Sequence, residues 1–263
     1  MMKDLYELYK GKDLVTKEEV SKMINNYNNN ISNCFIRYKH IVDQIPAGVG
    51  RVLDYGCGWG CITKAIAEKN NNVIGVDSFN GALEVAKDFN PHPRVRYLNS
   101  SEIKKLKPES FDYINSNQVL EHVHNPGIYL KNINLLCKIG GFLVISVPNV
   151  INLRFIFRQL RKSLEKNFAI LSEKILSSYA KDSDHIQGWD PEAFVRLHAS
   201  LGFKYIKHKF IEGMYLPYGK YKHVTVPWGG CYYHTKNNRL KNLSRTMLFK
   251  FQKVKFVNID PCD

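Results

Sequence analysis

The sequence predicts an α/β fold, a mostly parallel β-sheet covered by helices on both faces. Three observations carry this. Short apolar runs of strand length recur along residues 51–147. Segments of helical period separate them. A glycine-rich turn follows the first apolar run and precedes the first of these helices, the usual order of a strand–turn–helix unit in a parallel sheet.

The elements follow in order. Residues 16–45 read as helical: Thr16 with Glu19 three positions later forms a capping box, and Phe35, Ile36, Tyr38 and Ile41 fall near helical spacing. The cluster PAGVG at 46–50 breaks that segment. Strands are expected at Arg51–Asp54, Asn72–Asp77, Val95–Leu98, Tyr113–Ser116 and Gly141–Val147, with helices at Cys61–Lys69, Gly81–Asp88 and Pro126–Cys137 between them. Beyond Asn149 the pattern changes. Residues 151–181 are a basic amphipathic helical stretch. PEAFVRLHASLGF at 191–203 reads as a helix that opens on proline after Asp190 and ends at Gly202. Residues 203–213 alternate like a strand, and 214–230, with Pro217, Gly219, Pro227, Gly229 and Gly230, read as a turn-rich loop. The asparagine-biased INNYNNNISN at 24–33 reads as a loop or frayed helix end.

The turn reads VLDYGCGWG, residues 52–60. Glycines permit positive φ and leave no side chain between backbone and ligand. A helix N-terminus behind them favours a negatively charged group. Asp77 ends the next strand, where a carboxylate can accept hydrogen bonds from both ribose hydroxyls. A dinucleotide fingerprint would read G-x-G-x-x-G. Here the sixth position is Cys61, and the third glycine, Gly60, comes one residue early. The constellation therefore points to a nucleoside-bearing cofactor other than NAD.

VLDYGCGWG, VIGVD, FDYINSNQVLEHV and GGFLVISVPN, in that order, resemble the successive motifs of class I S-adenosylmethionine-dependent methyltransferases. The resemblance covers about residues 35–149 and, more loosely, 184–212. It implies a Rossmann-like seven-stranded sheet, mostly parallel, with flanking helices and a final antiparallel strand, for which CYYHTK at 231–236 is the candidate. A basic helical insert and a C-terminal extension are added to that core. It implies S-adenosyl-L-methionine as the cofactor. Gly56 and Gly58 would approach its methionine portion, Asp54 would orient the turn and reach the amino group, Asp77 would hold the ribose, and Ser78 would lie beside the adenine. Asn117 and Gln118 follow the fourth strand, near the reactive sulfonium. Arg37 sits at the spacing at which ubiquinone-biosynthesis-type O-methyltransferases place an arginine for the cofactor carboxylate. The family's adenine-binding aspartate is replaced by Ser100, with Glu102 close by.

Methyl transfer to a hydroxyl requires alignment, exclusion of water and removal of a proton. Two histidines are candidate bases. His122 lies in LEHV after the fourth strand, and His185 lies in DSDHIQGWD, with Asp182, Asp184 and Asp190 near it. The spacing of Cys57 with Cys61, and of His122 with His124, does not match a metal site, and metal-independent catalysis is expected. A nucleobase-methylating D/N-P-P-Y/F motif is absent; SVPNV follows the fifth strand instead.

Charge narrows the partners. The 263-residue chain carries a net +14. Residues 201–263 hold ten Lys and two Arg against three acids, and 151–181 hold seven Lys and Arg against two, so the first half is nearly neutral. A basic half facing an anionic partner fits a diphosphate, a phospholipid surface or RNA. The residues 214–233 mix aromatic rings with Lys220, Lys222 and His223, which suits a sugar ring and its phosphates. More weakly, the layout resembles O-methyltransferases of bacterial surface-polysaccharide pathways acting on nucleotide-linked heptoses. The leading expectation is thus a cytoplasmic O-methyltransferase of a nucleotide-linked sugar, with lysines and arginines of 151–181 and 204–222, Arg158 and Lys222 among them, clamping the diphosphate. The alternatives are a quinone or lipid O-methyltransferase at a membrane surface and an RNA-binding protein of the same fold. No nucleic acid or stable membrane insertion is expected, and a homo-oligomer is possible. There is no apolar run of 18 residues and no signal-peptide pattern, and the six scattered cysteines read as free thiols. The expected organisation is a helical segment at 1–45, a cofactor core at 46–149, a basic insert at 150–183, the remainder of the fold with a substrate loop at 184–240, and a basic tail at 241–263.

Overall fold

The computed structural model describes residues 36–150, 187–211, 215–218, 222–225 and 246–258. The chain enters through helix α1 (Ile36–Val42) and then alternates. Strand β1 (Arg51–Tyr55) leads to α2 (Cys61–Ala67), β2 (Asn72–Asp77) to α3 (Asn80–Phe89), and β3 (Val95–Asn99) to a 3-10 turn (Ser100–Lys105). Strand β4 (Phe111–Asn117) is followed by a second 3-10 turn (Leu120–His122), α4 (Pro126–Leu136) and β5 (Cys137–Pro148). After the basic segment come α5 (Pro191–Ser200), β6 (Phe203–Ile211), β7 (Tyr215–Tyr218), β8 (Lys222–Thr225) and β9 (Thr246–Lys253).

Seven strands form one sheet in the order β3-β2-β1-β4-β5-β9-β6. The first five strands pair in parallel, while β9 runs antiparallel to both β5 and β6. Successive residues feed opposite faces, as the period of two requires. Val52 and Val144 belong to the apolar cluster that includes Ile41, Ile45 and Ile66 from the α1 and α2 side. Their neighbours Leu53, Leu143 and Ile145 belong to the cluster on the α4 and α5 side, with Leu130, Ile133 and Phe194. Asn125 and Asp190 cap α4 and α5 by accepting backbone N–H groups, and each helix opens on proline.

The last strand of the sheet departs from expectation. CYYHTK at 231–236 lies outside the described residues, and the strand that closes the sheet is β9, within the stretch read as a basic tail. It buries Met247, Phe249 and Phe251 on one face and Leu248 on the other. Its lysines are absorbed by carbonyl groups. The Lys253 ammonium, fully buried, donates to the carbonyls of Asn134 (2.7 Å) and Cys137 (2.8 Å) and to Glu109 (3.3 Å). Lys250 donates to the Gln44 carbonyl (3.0 Å) and the Tyr113 hydroxyl (3.1 Å) and lies over the Tyr113 and Phe142 rings. The sheet therefore extends to Lys253, past the division expected at residue 241.

Smaller departures have local causes. β5 starts at Cys137 rather than Gly141, because Gly140 turns at φ 84° and the register to β4 shifts between Phe111 and Tyr113 without ending the pairing. Within the expected loop at 214–230, β7 and β8 pair antiparallel. Among the described residues no helix is long and apolar enough to cross a membrane.

Candidate active site

The glycine turn joins the C-terminal end of β1 to α2. The Gly56 and Cys57 N–H groups both donate to the Val76 carbonyl, at 2.7 and 3.0 Å, which fastens the turn to β2. Gly56 has φ 86°, and a Cβ there would stand 2.2 Å from Val119 Cγ2, so backbone and neighbour both demand glycine. Gly58 differs. It also has positive φ, at 51°, but a Cβ there would meet nothing within 4 Å among the described residues. The turn thus presents bare backbone to open space beside the ends of β1 and β2.

Two carboxylates organise it. Asp54 is buried in β1. Its Oδ2 accepts from the Thr63 hydroxyl (2.6 Å) and its Oδ1 from the Asn115 amide (2.7 Å). Burial raises its pKa from 3.8 to about 6, partly offset by those two hydrogen bonds, with the nearby Asp77 charge adding a smaller rise. Asp77 ends β2. Its Oδ2 accepts from the Gly58 N–H (2.8 Å) and its Oδ1 from the Phe79 N–H (3.0 Å). Asp77 and Gly58 therefore share one edge of the open space.

The end of β3 lies next along this edge. Ser78 is exposed and Ser100 is half-buried at the start of the 3-10 turn. The link between them is Asn99, whose amide donates to the Ser78 carbonyl (3.2 Å) and the Asn80 side chain (2.7 Å) and whose oxygen accepts from the Ser101 N–H.

Past β4 the backbone is strained. Gln118 adopts φ 53°, a left-handed conformation that costs a non-glycine residue about 1–2 kcal/mol. It is held there by its N–H to the Ser146 carbonyl (3.0 Å), while the Ser146 hydroxyl donates to Asn117 Oδ1. Such strain clusters at functional sites. The following 3-10 turn carries Glu121, fully buried, and His122, partly exposed, with Nε2 3.9 Å from Glu121 Oε1. The Gln187 N–H and amide bond the Glu121 and Val123 carbonyls, each at 3.2 Å, so the described part of the 184–190 segment closes against this turn.

The structure thus brings together Asp54, Gly56, Gly58, Asp77, Ser78, Ser100, Asn117, Gln118 and His122 along the ends of β1, β2, β3 and β4. The Arg37 backbone lies in α1, and its side chain is outside the described residues, as is all of His185. Of the cations expected at 204–222, Lys209 lies through Leu248 of β9 at the level of Ser146, whereas Lys204 lies at the other end of β6. β6 runs parallel to β5, so its first residues sit where β5 starts, at the opposite end of the sheet from the glycine turn. Arg158 lies outside the described residues, and Lys222 is placed only as a member of β8. Sequence reasoning missed Thr63, Asn99, Asn115 and Glu121. Asn115 had a signal, an amide directly after the apolar pair Tyr113–Ile114 in a central strand. Among the described residues no group of three His, Cys, Asp or Glu is placed to hold a metal ion.

A β1–glycine turn–α2 unit with an acid ending β2, in a sheet whose last strand inserts antiparallel beside β5, defines a class I methyltransferase. The model of a family described as "Methyltransferase domain" matches residues 32–208. The ubiquinone biosynthesis O-methyltransferase of Coxiella burnetii (strain RSA 493 / Nine Mile phase I) is 30% identical over 161 residues, covering 56% of this chain and 68% of that one. A putative methyltransferase from Bacillus halodurans superposes with a TM-score of 0.56 at 16% identity, over 83% of this chain and 99% of that one. An S-adenosylmethionine-dependent methyltransferase from Archaeoglobus fulgidus does so with a TM-score of 0.53 at 19% identity, over 96% and 99%. The chain belongs to this methyltransferase-domain family and is an S-adenosylmethionine-dependent methyltransferase. The residues present fit the cofactor: the open space at Gly58 is bordered by backbone on one side and a carboxylate on the other.

Proposed function

We propose that the protein is an O-methyltransferase whose acceptor is a hydroxyl on a quinone-type aromatic ring. The observation that carries this is the 30% identity to ubiquinone biosynthesis O-methyltransferases over 68% of their length. The nucleotide-linked sugar, the leading expectation from the sequence, takes second place. Its surface-polysaccharide setting has no counterpart among these relatives.

The cofactor supplies an electrophilic methyl group on a sulfonium. The chain's own residues bind and orient it. Gly56 and Gly58 offer backbone to the methionine portion, Asp77 accepts from the ribose hydroxyls, and Asp54 fixes the turn through Thr63 and Asn115. Ser78, Asn99 and Ser100 border the adenine. Asn117 and Gln118 lie beside the transfer point, with Arg37 assigned to the carboxylate. His122 takes the acceptor proton, with the buried Glu121 carboxylate 3.9 Å away and His185 the second candidate. The choice of base agrees with the acceptor. A phenolic hydroxyl has a pKa of about 10, far closer to imidazole than that of a sugar alcohol, which is a much weaker acid. A partly exposed histidine is thus a more adequate base for a phenol than for a sugar.

The test is release of S-adenosylhomocysteine by the purified protein across a panel of catechols, hydroquinones and nucleotide sugars. Turnover is expected with the aromatic acceptors. Turnover confined to nucleotide sugars would overturn the assignment and restore the other.

A further inference from the structure

The glycine turn is fastened at a third point that no cofactor motif includes. Its first half is held by the Val76 carbonyl and by Asp77. Its second half is held from behind by Asn90, the residue that ends α3. Asn90 is 2% exposed, and its amide donates to the Trp59 carbonyl at 2.7 Å and to Cys61 Sγ at 3.4 Å. The Asn90 carbonyl in turn accepts from the Tyr97 hydroxyl at 2.9 Å. Tyr97 stands on β3 opposite Gly75 of β2. A Cβ on Gly75 would lie 2.8 Å from its ring, and one on Gly60 would lie 2.3 Å from its hydroxyl. Two glycines therefore make room for one tyrosine, and that tyrosine reaches past them to a buried asparagine.

We propose that Asn90 and Tyr97 are positioning residues for the cofactor, acting through the Trp59–Gly60 peptide. The Trp59 carbonyl is the group whose direction decides how the chain leaves Gly58 and enters α2. Gly60, at φ 78°, closes that turn with its N–H on the Cys57 carbonyl. With Asn90 in place the backbone on both sides of the open space at Gly58 is fixed before binding, so little conformational entropy remains to be lost when the cofactor enters. Without it, the half-turn from Trp59 to Cys61 must be ordered by the cofactor itself. Among the described residues the Asn90 amide bonds only to Trp59 and Cys61, so it serves the turn alone.

The experiment measures cofactor binding in Asn90→Ala and Tyr97→Phe, with Asn134→Ala as the control. Asn134 is equally buried and donates to the Leu201 carbonyl at 2.6 Å, near the far end of α4. Titration calorimetry with S-adenosylmethionine and with S-adenosylhomocysteine gives Kd, and initial rates divide the effect between KM and kcat. Asn90→Ala is expected to weaken cofactor binding about 5–30-fold, the equivalent of one or two lost hydrogen bonds, and to raise the cofactor KM with kcat and the acceptor KM nearly unchanged. Tyr97→Phe keeps the ring and is expected to move Kd in the same direction by less. Asn134→Ala is expected to lower Tm with no change in Kd. If Asn90→Ala lowers Tm but leaves Kd as Asn134→Ala does, the residues only support the fold and the proposal is overturned. If Asn90→Ala does not fold, Tyr97→Phe decides: a weakened Kd supports the proposal and an unchanged Kd refutes it.

Discussion

Replacing Asp54 by asparagine removes a buried charge while keeping the side-chain shape. Burial raises the Asp54 pKa from 3.8 to about 6. The folded chain therefore holds a proton on Asp54 across a pH range in which the unfolded chain has lost it. Stability falls with rising pH wherever the folded state binds more protons. This group's destabilising effect is absent below about pH 4, grows between about pH 4 and 6, and is complete above. At about 1.4 kcal/mol per pH unit, the gap amounts to about 3 kcal/mol. The Asp54→Asn variant lacks that slope. The new amide oxygen can accept from Asn115, and the new amide nitrogen can donate to the Thr63 hydroxyl, which reverses that hydroxyl's role. Urea unfolding from pH 4 to 8 without added cofactor reads the difference. The stability of the variant relative to wild type is expected to rise by about 2–2.5 kcal/mol between pH 4 and 7. Parallel curves for the two proteins would refute the buried-charge reasoning.

Other substitutions probe separate parts of the molecule. Gly56→Ala places a Cβ against Val119 on a positive-φ backbone and is expected to abolish cofactor binding; circular dichroism and calorimetry separate that loss from unfolding. His122→Ala is expected to reduce kcat by roughly 10²–10⁴-fold with little change in KM, and unchanged rates would remove it as the base. Turnover is expected to survive EDTA; complete loss that magnesium restores would contradict metal-independent transfer. Lys253→Met leaves the Asn134 and Cys137 carbonyls without their donor and is expected to destabilise the fold by about 1–3 kcal/mol in denaturant titration.

The first five strands were legible because each is a short apolar run bounded by turn residues, and the glycine turn with Asp77 was legible because both lie in local motifs. β9 was not. TMLFKFQK sits in a lysine-rich stretch, and only the folded chain shows Lys250 and Lys253 directing their charges at carbonyl groups. The partners of Asp54 were hidden for a related reason. Asn115 lies 61 residues away and meets it only because β1 and β4 are neighbours. Asn90 and Tyr97 carry no motif, since their role depends on where α3 ends relative to the turn.

Every role assigned around the glycine turn depends on Gly58 and Asp77 bordering the cofactor. Calorimetric titration of wild type and Asp77→Ala with S-adenosylmethionine tests this directly. A loss of about 1–3 kcal/mol of affinity is expected in the variant, from the ribose hydrogen bonds and the Gly58 N–H left without its acceptor. Unchanged affinity in a folded Asp77→Ala protein would contradict it.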